Sequence, residues 1–98
     1  MSDIFEKKLS PSGDAIASAV GDETVILHLK NGAYYGLDAV GTRIWELLKE
    51  GHASAAICAR MADEYDVAPD VIEADVRRLL GELEASDIVA DAERANDG

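Results

Sequence analysis

Residues 24–48 read TVILHLKNGAYYGLDAVGTRIWELL, and the order of residue types in them decides the fold. The stretch opens with a dense apolar run, Val25-Ile26-Leu27-His28-Leu29. Asn31-Gly32 follows. This pair is a strong hairpin signal, because both central residues of a type I′ turn need positive φ. A second extended run, Ala33-Tyr34-Tyr35-Gly36-Leu37, then folds back on the first. Asp38 is a good N-cap for a helix starting at Ala39. Ile44, Leu47 and Leu48 recur there at helical spacing, with Trp45, the only tryptophan, beside them.

A two-residue loop would set the register. It places Leu29 opposite Tyr34, His28 opposite Tyr35, Leu27 opposite Gly36 and Ile26 opposite Leu37. One face then holds Val25, Leu27, Leu29 and Tyr34, and the other holds Ile26, His28, Tyr35 and Leu37. Both faces are rich in apolar groups. One is expected to pack on helices, and the other is partly covered or has a use. The pattern does not say which tyrosine belongs to the core.

Working outward, residues 15–20 alternate Ile16, Ser18 and Val20 with alanines and make a first strand ending at Gly21-Asp22. Residues 1–14 are polar with clustered Pro11, Ser12 and Gly13, and read as an irregular lead-in. Downstream, the first helix runs over about 39–50 and stops at Gly51, a natural C′ residue. A second, with Ser54 as its cap, runs to about residue 65 along the stripe Ile57, Met61 and Tyr65. Pro69 or Asp70 opens a third, which continues to about residue 85 with Ile72, Val76, Leu79, Leu80 and Leu83 as its core face. Residues 91–98 form an acidic tail expected to be disordered. The fold class is α+β and winged-helix-like: three antiparallel strands followed by three helices. Residues 15–90 form its one domain.

The chain has 98 residues, 20 acidic and 9 basic, for a net charge of −11. Such a surface repels a phosphate backbone, so no nucleic-acid partner is expected. A basic or neutral peptide is more compatible. The apolar runs are too short to cross a bilayer, and the N-terminus has no signal-like apolar segment. One cysteine fits a reducing compartment, and the cytoplasm is the expected location.

Little in the sequence points to bond chemistry. Cys58 lies on an apolar helix stripe, and only His28 and His52 accompany it, with no third orienting group. A buried structural thiol is the expected role. No metal-ligand spacing and no phosphate-binding glycine loop occurs, so neither a cofactor nor a metal is expected, and the chain is not read as an enzyme.

Tyr34-Tyr35-Gly36-Leu37-Asp38 followed by Ile44-Trp45-Glu46-Leu47-Leu48 resembles the PqqD-like proteins. These are the recognition elements of ribosomally made, post-translationally modified peptide pathways. The resemblance continues through residues 53–57, 65–67, 74–80 and 83–89, and covers about 15–90. The Tyr-Tyr-Gly-Leu-Asp segment resembles the discrete leader-binding proteins of lasso-peptide pathways more than the pyrroloquinoline-quinone protein itself. The resemblance implies a non-catalytic protein that binds a precursor's leader peptide. Its partners would be a leader peptidase and a cyclase or other modifying enzyme. It further implies that the leader adds as a strand beside Ala33, Tyr34, Tyr35, Gly36 and Leu37. The third helix would wall the groove with Val71, Ala74, Asp75 and Arg78. On the residues alone, Asp75 and Arg78 read rather as an (i, i+3) surface pair, and it is the resemblance that points to the groove. Two alternatives are a winged-helix DNA-binding regulator, which the charge opposes, and an adaptor that docks a protein without any leader.

Overall fold

The computed structural model describes residues 7–91; the expectations for 1–6 and 92–98 lie outside them. Strands β1 (Leu9–Pro11), β2 (Ala15–Val20), β3 (Glu23–His28) and β4 (Tyr34–Leu37) come first. Helices α1 (Ala39–Lys49), α2 (Ser54–Glu64) and α3 (Pro69–Ala85) follow, and strand β5 (Val89–Asp91) closes the order. β2, β3 and β4 form an antiparallel sheet in that order, so a three-stranded sheet followed by three helices is present as the sequence predicts.

The lead-in departs from expectation. Leu9–Pro11 is a strand paired antiparallel with β5, Leu9 opposite Asp91 and Pro11 opposite Val89. Leu9 is 1% exposed. Three residues are too few to show a period, and the pairing partner lies at the far end of the domain. Nothing local marks the segment as ordered.

The hairpin register differs by two residues from that of a two-residue loop. Thr24 lies opposite Leu37, Val25 opposite Gly36, Ile26 opposite Tyr35 and Leu27 opposite Tyr34. Gly32 has a φ of 74°, but Asn31 is not in the left-handed region, which excludes a type I′ turn. The loop is wider. The His28 N–H donates to the Ala33 carbonyl at 2.8 Å, and the Gly32 N–H donates to the His28 carbonyl at 3.0 Å. Side chains satisfy the remaining loop amides: His28 Nδ1 accepts from the Lys30 and Asn31 N–H groups at 3.2 and 3.3 Å. Asn31 Oδ1 accepts from the Ala33 N–H at 2.7 Å. Because side chains alternate with period two, a slip of two leaves each on its predicted face.

The helix-facing side carries Thr24, Ile26, His28 and Leu37, all buried, with Tyr35 half-buried beside them. The outer side shows Ile16, Leu27, Leu29 and Tyr34 to solvent. Tyr35 is therefore the core-side tyrosine. Ile26 and Leu37 join Ile44, Trp45, Leu47 and Leu48 of α1, Ile57 and Met61 of α2, and the expected face of α3 in one buried cluster. Leu9, Ile88 and Val89 complete it.

Asp38 caps α1 as expected, its Oδ1 accepting from the Gly41 N–H at 2.8 Å. Gly51, at φ 96°, ends that helix, with the His52 N–H donating to the Leu47 carbonyl at 3.2 Å. Ser54 is not the cap of α2: Ala53 is, and Ser54 Oγ is buried without a hydrogen-bond partner. The Ser54 N–H donates to the Lys7 carbonyl at 3.4 Å, so the N-terminal segment draws Ser54 into the first turn. Among the described residues no helix is long and apolar enough to cross a membrane.

Candidate functional site

β4 is an edge of the sheet. The His28–Ala33 hydrogen bond sets the alternation along it. Tyr35 and Leu37 bond to β3, whereas Tyr34 and Gly36 turn their N–H and C=O groups away from it. A cleft of about 330 Å³ opens between this edge and α3. Leu37, Ile44 and Leu79, at 4, 2 and 4% exposure, are its buried apolar members. Val40 and Gly41 add the first turn of α1, and exposed Asp38, Asp75 and Arg78 supply charge.

One polar network crosses from β4 to α3. The Tyr35 hydroxyl donates to Glu82 Oε1. Arg78 Nη1 donates to Glu82 Oε2 at 3.0 Å, and Arg78 Nε lies 4.0 Å from an Asp75 oxygen. The Tyr35 hydrogen bond, then that of Arg78, hold the Glu82 carboxyl below the usual carboxylate range. The same contact, with partial burial, pushes the Tyr35 phenol up. Arg78 is raised in turn by its bond to Glu82. Its charge is thus engaged by Glu82, and the carboxylates of Asp38 and Asp75 face the cleft with less compensation.

Of the residues expected at the site, Tyr35, Gly36, Leu37, Asp75 and Arg78 meet at this cleft. Four others, Ala33, Tyr34, Val71 and Ala74, do not line it. Ala33 spends both its main-chain groups on the hairpin loop, and Val71 and Ala74 are exposed on α3. Tyr34 offers its main chain to the edge, while its side chain, 73% exposed, points to the outer face. Glu82, Asp38 and Leu79 were missed. Asp38 reads as a cap and Leu79 as core, and each is both; Glu82, one turn beyond Arg78, reads as solvated charge.

Elsewhere, a cleft of about 440 Å³ beneath β2 is lined by Ala17, Ala19, Trp45 and Tyr65 among others. β2 is the other edge of the sheet, and past Ala15 it is exposed throughout. Cys58 is half-buried, and burial, then the nearby Glu73 charge, push its thiol up. The described residues hold no group of three or more His, Cys, Asp or Glu placed to bind a metal.

Fold and site together define a small α+β domain whose sheet has an open edge walled by a helix. The family described as coenzyme PQQ synthesis protein D (PqqD) matches residues 23–89, and the chain belongs to it. No curated protein matches the chain. Two solved structures are similar. One is TbiB1 in complex with the TbiA(beta) leader peptide: 39% identity, TM-score 0.76, covering 82% of this chain and 93% of that one. The other is lasso peptide synthetase B1 complexed with the leader peptide: 20% identity, TM-score 0.75, covering 85% and 98%. At that identity the second shows the fold alone.

Proposed function

We propose that this chain is a non-catalytic binding protein for the leader of a ribosomally made precursor peptide, of the lasso-peptide kind. It would hand the attached core peptide to separate modifying enzymes, a leader peptidase and a cyclase. The observation that carries this reading is the cleft running along the free edge of β4 and walled by α3. An extended peptide there would bond to the outward main-chain groups of Tyr34 and Gly36, which gives affinity. Its alternate side chains would enter the cleft toward Leu37, Ile44 and Leu79, which gives specificity. β2 offers a second edge but no wall of α3 beside it, so β4 is the better receptor. The similarity to a leader-peptide complex at 39% identity supports the same reading. Catalysis by such a protein is indirect: it raises the effective concentration of the core peptide at an enzyme that binds both.

The test is amide hydrogen exchange with and without the TbiA(beta) leader peptide. Leader binding should slow exchange at the outward amides of Tyr34 and Gly36 and leave those of β2 unchanged. Protection confined to β2 or to α2 would refute strand addition at β4.

A further inference from the structure

Gly36 lies in the middle of the open edge, and the fold itself has no need of a glycine there. Its φ is outside the left-handed region, and a Cβ built on it meets nothing within 4 Å. Glycine inside a strand weakens it, and it marks places where a ligand or another backbone comes close. The register shows on which side. Gly36 pairs with Val25, and both project to the outer face. Leu27 and Tyr34 flank them on that face, both exposed. The result is an apolar surface with a gap at Gly36, bordering the edge where a peptide strand would add.

Resting on the leader-binding function proposed above, we propose that Gly36 is a specificity position for an outward-facing leader side chain. The leader residue opposite Gly36 turns to the outer face, because paired residues share a side of the sheet. A bulky apolar side chain, aromatic or branched, lies across the bare glycine and reaches Val25. Covering an edge glycine with a cross-strand aromatic is an effective way to pin strand register. This subsite is on the opposite side of the sheet from the α3 cleft, so it reads a leader residue adjacent to those that the cleft reads. A side chain at position 36 leaves the main-chain groups of Tyr34 and Gly36 in place. Substitution there therefore separates side-chain reading from strand docking.

The experiment is a calorimetric titration of the TbiA(beta) leader peptide, and of its single-alanine variants, into wild type, Gly36→Ala and Gly36→Val. Thermal melts accompany it. Valine suits a strand and its Cβ would meet nothing within 4 Å, so Gly36→Val should melt no lower than wild type. One apolar leader position should cost roughly tenfold in Kd when changed to alanine against wild type, and under about twofold against Gly36→Val. The intact leader should bind Gly36→Val roughly tenfold more weakly, with Gly36→Ala between the two. If wild type binds the leader and every alanine variant loses the same factor in all three proteins, the subsite is refuted while leader binding stands. If wild type does not bind the leader, both proposals fall together.

Discussion

Leu9→Ala tests the N-terminal strand directly. Leu9 is 1% exposed and belongs to the single core cluster. Its strand pairs with β5, and the Ser12 N–H donates to the Ile88 carbonyl at 2.8 Å just beyond it. The truncation removes buried methyl groups and leaves a cavity that backbone pairing on the β5 side keeps from collapsing. Leu→Ala changes at such sites cost about 3–5 kcal/mol. A domain this size has roughly 5–15 kcal/mol in all. The melting temperature should fall by about 12–40 °C, at roughly 4–8 °C per kcal/mol. Urea titration followed by far-UV circular dichroism should show a lower midpoint with an unchanged slope, and Leu9→Met, which keeps the volume, should lose under about 1.5 kcal/mol. A loss under about 1 kcal/mol for Leu9→Ala would mean that the side chain is solvated and that β1 is an ornament of the fold.

Four further substitutions have expected outcomes. Asp75→Lys breaks a long, exposed contact with Arg78, so the fold should lose under about 1 kcal/mol, whereas affinity for the TbiA(beta) leader should drop by roughly 5–150-fold if the leader lies in the cleft. Val71→Asp, one turn outside the lining, should change affinity less; equal affinities across wild type, Asp75→Lys and Val71→Asp would move the site off α3. Cys58→Ala should leave support of precursor processing intact, because the raised thiol is a poor nucleophile; loss of processing by a well-folded variant would reveal a catalytic role. Tyr35→Phe should raise the Glu82 carboxyl toward its ordinary value, read by carboxyl NMR. A depressed carboxyl adds stability above its unfolded value and loses it as pH falls through the folded one, so wild type should lose this contribution only below about pH 4, and a titration unmoved by the substitution would disprove the Tyr35 contact.

Local pattern was enough for most of the fold. Asn31-Gly32 between two apolar runs meant a hairpin, Asp38 meant the start of α1, and the stripe from Ile72 to Leu83 meant a buried face of α3. These signals lie within a few residues of the structure they cause, so they survive without tertiary context. The side chains of the hairpin landed on their predicted faces even though the register moved by two, because alternation depends on parity alone. The wider loop that goes with this register has its amides satisfied by His28, whose ring nitrogen accepts two of them, a role no propensity encodes. The candidate site divides in the same way. Tyr35, Gly36 and Leu37 were legible as an edge strand, and Asp75 and Arg78 as a helix face.

Only the folded chain could show that Val71 stands outside the cleft and that Glu82 closes the network from Tyr35 to Arg78. Only the folded chain could turn Leu9–Pro11 into a strand, since its partner β5 lies at the other end of the domain. Each of these depends on groups distant in sequence meeting in space. A single sequence records residue types along the chain, and it is long-range packing of the core that chooses which of them meet.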